Sequence, residues 1–67
     1  MLVQFNFDGE TLYSYVCSDV AGIIAAAKES ESIHFGADWY KFDSIVLTHY
    51  MDDDNQMRQQ LIIYVKE

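Results

Sequence analysis

The sequence predicts an α+β fold: a small antiparallel β-sheet, in the order β-β-α-β-β-β, with one helix packed on one face. Three observations lead there. Apolar and polar residues alternate on both sides of Asp8-Gly9, and again on both sides of Asp52-Asp53-Asp54-Asn55. Between these two hairpin patterns, one stretch switches to helical spacing. No proline interrupts any element, and the short connections favour antiparallel neighbours.

The first hairpin joins residues 2–7 to residues 10–17. Asp-Gly suits a type I′ turn, because both of its central positions need φ > 0. That turn places Phe7 opposite Glu10, Phe5 opposite Leu12, Val3 opposite Ser14 and Met1 opposite Val16. This is one largely apolar face. Asn6 with Thr11, Gln4 with Tyr13 and Leu2 with Tyr15 then form the other.

The helix follows. Ser18 can cap it, and Asp19 suits the positive end of its dipole. Val20, Ile23, Ile24 and Ala27 make one apolar stripe, and Lys28 sits in the last turn, where a cation is favoured. Ala21, Gly22, Ala25 and Ala26 line the opposite side. Good helix propensity explains the alanines; a flat surface for close approach of another backbone is the functional alternative. Gly22 costs roughly 1 kcal/mol relative to alanine inside a helix.

Glu29–Ser32 is a polar exit, Ser32–Phe35 a short strand, and Gly36-Ala37-Asp38 a turn. Residues 39–51 and 56–66 then read as one long hairpin with an acidic tip. With Asp52–Asn55 as its loop, Phe42 faces Val65, Val46 faces Leu61 and Tyr50 faces Met57 on a core face. The other face pairs Ile45 with Ile62, Leu47 with Gln60 and His49 with Arg58. It holds an apolar island of Ile45, Leu47, Ile62 and Tyr64. A sheet covered by one helix should be polar on its far side, so this island needs a cover. The N-terminal hairpin can curl over it, or a partner or second copy can cover it. Ile45, Leu47 and Ile62 are therefore the candidate residues of a homodimer interface. A three-residue turn would shift the pairing by one and still leave aliphatic residues on both faces.

Composition bounds the function. Residues 1–67 suit one domain, and a chain of this size buries only about 60% of its unfolded surface. Its 51% hydrophobic content is rich enough for a core. Cys17 is the single cysteine, so no internal disulfide or zinc cluster forms, and a reducing, cytoplasmic setting is expected. The N-terminal stretch lacks signal-peptide features, and no apolar run approaches the ~20 residues needed to span a bilayer. Eleven acids against four bases give a net charge of −7. The bases Lys28, Lys41, Arg58 and Lys66 are scattered, which argues against direct nucleic-acid or anionic-membrane binding. The acidity suits a basic protein partner.

No motif carries catalysis or a cofactor. A nucleophile–base pair among Cys17, His34 and His49 would need hydrogen-bond reach and a third orienting group, which nothing local suggests, and a domain this small has little room for a cleft. Cys17 reads as a small apolar residue at a strand end. Asp52, Asp54 and Gln56 half match the start of a calcium loop, but Met57 and Ile63 stand where such a loop needs glycine and glutamate. A solvated turn is the simpler reading, and no metal is expected.

The remaining hypothesis is an inhibitor or adaptor that docks on a larger basic protein, such as one that handles nucleic acid, by presenting carboxylates as a nucleic-acid mimic. Candidate contact residues are Asp52, Asp53 and Asp54 at the tip, Asp8 and Glu10 at the first turn, and Glu29 and Glu31 after the helix. Tyr13, Tyr15 and Tyr64 are candidate aromatic anchors. In size, acidity and element order the chain is similar to small phage or mobile-element (viral) accessory proteins, including inhibitors of host nucleases. That likeness assigns no role to any residue. A solvated acidic surface without function, and a structural homodimer, are the competing readings.

Overall fold

The two hairpin patterns become five strands built around one parallel pair. The computed structural model describes all of residues 1–67. Its elements are β1 (Leu2–Phe7), β2 (Glu10–Val16), α1 (Val20–Glu29), β3 (Ile33–Phe35), β4 (Asp38–Met51) and β5 (Met57–Lys66). They form one sheet in the order β2-β1-β5-β4-β3. The α+β class and the order of elements are as expected from the sequence.

The sheet is mixed, where an antiparallel one was expected. Every sequential pair of strands is antiparallel, but β1 and β5 meet in parallel, Val3 beside Leu61 and Phe5 beside Ile63. The connection through α1 carries the chain from the β2 edge to the β3 edge. Three alternating strands then bring β5 back in the direction of β1. This central pair supplies most of the core: Val3, Phe5, Leu61, Ile63 and Val65 are buried, with Ala27 of α1 above them. The pair is flanked by β2 and β4 within the sheet, but a helix covers only one of its faces.

Both hairpins depart from the expected register by a bulge. The Asp8-Gly9 turn has φ of 50° and 81°, and it holds Phe7 opposite Glu10 and Asn6 opposite Thr11. The register then shifts between Phe5 and Asn6, so that Tyr13 stands opposite Phe5 and Tyr15 opposite Val3. Leu12 is the extra residue. The shift lets both Leu12 and Tyr15 pack against the core, and it turns Tyr13 and Tyr15 to the helix side instead of the far side. Met1 and Cys17 exchange backbone bonds of 2.9 and 3.1 Å and extend the same ladder.

In the long hairpin, the expected pairing holds at Lys41/Lys66 and Phe42/Val65 and shifts at Asp43. From there Ile45 faces Ile63, Leu47 faces Leu61 and Met51 faces Met57. Asp53, Asp54 and Asn55 form a three-residue loop, with Asn55 at φ 59° in the left-handed region that such loops need. The apolar island therefore does not exist as one surface. Ile45 and Leu47 lie on the helix side. Ile62 and Tyr64 lie on the open side, opposite Val46 and Ser44. His49 pairs with Gln59 and not with Arg58.

The open side is correspondingly polar at its centre. Gln4 Nε2 donates to Asn6 Oδ1 (2.8 Å) and Thr11 Oγ1 (2.6 Å), and Gln60 Nε2 donates to Gln4 Oε1 (2.6 Å). These bonds tie β2, β1 and β5 together across a face that no helix covers.

The helix is capped by Asp19, not Ser18: its Oδ1 accepts the Gly22 N–H at 3.1 Å. A Cβ at Gly22 would sit 2.3 Å from Asp19 Oδ2. The glycine that costs propensity thus gives the cap its space. Asp19→Ala is expected to lower stability by about 1 kcal/mol. Gly22→Ala should change it little, because about 1 kcal/mol of gained propensity offsets a displaced cap. Thermal melts of both variants check this. At ten residues, α1 is too short to cross a membrane. It also leaves the far end of the long hairpin uncovered, where Leu47 and Met51 are 52% and 57% exposed.

Candidate functional site

The acidic residues fall into separate groups with different surroundings. At the hairpin tip, Asp52 is committed to structure. Its Oδ1 accepts the backbone N–H of Asp54 and of Gln56, both at 2.9 Å, and its Oδ2 accepts Arg58 Nε at 2.7 Å. The Arg58 hydrogen bond, with those from Gln56 and Asp54, holds the carboxyl below its ordinary pKa. Only Asp53 and Asp54 remain exposed at the tip with free carboxylates.

This arrangement makes the loop pH-dependent. A depressed carboxyl adds stability above its unfolded pKa of about 4 and loses it as pH falls through the lower folded value. The Asp54 and Gln56 amides should therefore lose hydrogen-exchange protection below pH 4, while the β1–β5 amides keep theirs. Equal protection of the loop above and below that point would remove Asp52 from this role.

The opposite end of the molecule gathers a second group. Antiparallel β4 starts where parallel β1 and β5 end, so Asp38, the Asp8-Gly9 turn and Glu67 share one rim. Tyr40 lies at its centre on the helix side, its ring tilted against Phe7 at 4.9 Å and edge-on to Phe35 at 6.1 Å. Burial first, and then the Asp38, Glu67 and Glu10 carboxylates, push its phenol above the ordinary tyrosine pKa. The hydroxyl stays protonated within a fence of negative charge. Asp8 stands exposed on the adjoining turn. Sequence reasoning named Asp8 and Glu10 but missed Asp38, Tyr40 and Glu67. Their signal is positional only: it emerges once β1 and β5 are parallel.

Glu29 and Glu31 lie at the helix exit, exposed and outside both groups. Of the eleven acids, Asp52 alone is paired with a base.

The three tyrosine anchors do not form one surface. Tyr13 and Tyr15 stack at 5.3 Å on the helix side of edge strand β2, with Tyr13 exposed and Tyr15 half-buried. Tyr64 is half-buried on the open side, between Asn6 and Ser44. The most exposed aromatic residue is one the sequence reading passed over. Trp39, 67% exposed, stacks on His34 at 4.3 Å and 9°, also on the open side.

Ser32 Oγ lies 2.7 Å from His34 Nε2, but the pair is solvent-facing and no carboxylate orients the imidazole. No three side chains among His, Cys, Asp and Glu stand close enough to share a metal ion. The largest concavity, about 720 Å³, lies open between the N-terminus and the hairpin arm, lined by Met1, Val16, Tyr50, Met57 and Arg58 among others. A smaller crevice of about 140 Å³ runs between α1 and β3, beside Phe5, Ile23 and Ile33. The chain matches no protein-family model, and comparison with curated proteins and with solved structures finds no similar chain.

Proposed function

We propose that this is a non-enzymatic, acidic protein-binding module, an inhibitor or adaptor of the phage or mobile-element type, that docks on a larger basic protein. The observation that carries the reading is the rim at Tyr40. Glu10, Asp38 and Glu67 are held close enough to raise the phenol pKa, yet none forms an ion pair; Lys41 and Lys66, paired across β4 and β5 at this end, alternate to the open side. Clustering like charges without a counter-ion works against folding. It is well suited to receive lysine or arginine from another molecule, with the Tyr40 ring as an apolar floor. Asp53 and Asp54, at the far tip, extend the negative field along the molecule's 38 Å length and favour a partner with a long basic groove. A nucleic-acid-binding protein offers such a groove, so carboxylates standing in for phosphates remain the favoured mode.

The test is affinity capture from a host lysate at low and high salt, with bound proteins identified by mass spectrometry. A single basic partner, retained at low salt and released at high salt, is the expected result. Partners of no particular charge, held equally at both salts, would sink the proposal.

A further inference from the structure

The outer edge of β4 carries an unused row of backbone hydrogen-bonding groups. β3 pairs only with Asp38–Tyr40, so from Lys41 to Met51 the strand has β5 on one side and no strand on the other. The Asp52 N–H donates to the Gln56 carbonyl at 3.0 Å, which aims position 52 at β5. By alternation, positions 50, 48, 46 and 44 also aim at β5. Ile45, Leu47, His49 and Met51 then present their N–H and C=O groups outward. Proteins blunt such edges with charge, proline or a short strand. Ser44–Met51 has no proline and no Asp, Glu, Lys or Arg, and Val46, Leu47, Tyr50 and Met51 on it are all exposed.

We propose that this edge pairs with the same edge of a second copy, giving a two-fold dimer with one continuous sheet and both helices on one face. Three features of the edge select its own copy as the occupant. The first is fit. An incoming hairpin must clear β3, whose Ile33 stands beside Tyr40, so its loop can reach no further than Lys41. Two-fold pairing with the helices on one face sets a residue opposite itself. The first such register that clears β3 sets Thr48 opposite the partner's Thr48. The second is hydrogen-bond parity. In this register Leu47 faces the partner's His49 and Ile45 faces the partner's Met51, and all four are outward-pointing positions. The third is the side-chain pairing. Thr48 meets its own copy, and Val46 meets the partner's Tyr50. Thr–Thr and aromatic–β-branched pairs are both favoured across strands.

Electrostatics gives the dimer a signature. Asp53 comes to lie near the partner's Asp43, and each copy carries a net charge of −7. Added salt therefore strengthens this association, whereas it weakens capture of a basic partner. The proposal is independent of the acidic-rim reading, and the opposite salt responses keep the two apart.

Light scattering and sedimentation at high micromolar concentration, at low and high salt, test it. A dimer that tightens with salt is expected. His49→Pro removes an N–H that β5 does not use, so it should give a monomer with an unchanged circular dichroism spectrum. In a Cys17→Ser background, Thr48→Cys should oxidise to a covalent dimer. A non-hydrogen-bonded pair brings its Cα atoms to about 4.5 Å, within disulfide range. Val46→Cys, which faces the partner's Tyr50, should not cross-link. A monomer at both salts, a dimer that survives in folded His49→Pro, or equal cross-linking at positions 46 and 48 would overturn the proposal. If His49→Pro unfolds, the cysteine pair decides.

Discussion

Ile63→Ala is expected to lower stability by about 2–5 kcal/mol, the range for emptying a fully buried isoleucine site. Ile63 is 0% exposed. It sits on the central strand, between Phe5 of β1 and Ile45 of β4, under the helix. At about 0.05–0.15 kcal/mol per residue, a domain of this size is stable by only roughly 3–10 kcal/mol. The loss should appear in urea as a large fall in the midpoint, or as outright unfolding. Ile62→Ala is the matched control. Ile62 is adjacent in sequence and chemically identical, but it is half-buried on the open side beside Gln4 and Val46. Its truncation should cost about 1 kcal/mol or less, in proportion to the smaller area it covers. Equal costs at the two positions would mean that the helix does not cover the face described above.

The second large effect concerns binding. Glu10→Gln, Asp38→Asn and Glu67→Gln together remove the charge around Tyr40 and leave the shape nearly unchanged. If each carboxylate meets a partner base near the surface, each contact contributes about 0.2–1 kcal/mol. The triple variant should then bind roughly 3- to 150-fold more weakly, with a shallower salt dependence. Its stability should be equal to or above that of the native chain, because the substitutions relieve repulsion among unpaired carboxylates. Opposite signs for binding and stability are the mark of a surface kept for a partner. A variant that binds normally would place the contact elsewhere. A variant that is less stable would show the rim to be structural.

The outline of this fold could be read from local chemistry, and the remainder could not. Asp8-Gly9 announced its turn, the stripe Val20, Ile23, Ile24 and Ala27 announced the helix, and the absence of proline left the strands unbroken. Each of these depends on residues a few positions apart. The two bulges, at Leu12 and Asp43, have no such local cue. Each is chosen because slipping one residue improves the packing on the helix side, and that is a property of the assembled sheet. One slip is enough to exchange faces. This is why Ile45 and Leu47, grouped with Ile62 by the simple register, lie on the opposite side from it. The parallel β1–β5 pairing joins residues nearly sixty positions apart and likewise has no short-range signature. The candidate site inherits the same division. Asp8 and Glu10 could be named as acids beside a turn. The convergence of Asp38 and Glu67 on Tyr40 depends on the non-local pairing. At the tip, the sequence shows three aspartates but not that Asp52 is occupied by Arg58 and two backbone amides.

The central claim is that the Tyr40 rim receives basic side chains. A nuclear magnetic resonance titration with an arginine-rich synthetic peptide tests it most directly, because every acid reports on its own position. The account predicts that the largest shifts at low salt fall on Glu10, Asp38, Tyr40 and Glu67, with smaller ones at Asp53 and Asp54, and that all fade as salt is added. Shifts spread evenly over all the acids, including Glu29 and Glu31, or no shifts at low salt, would contradict it.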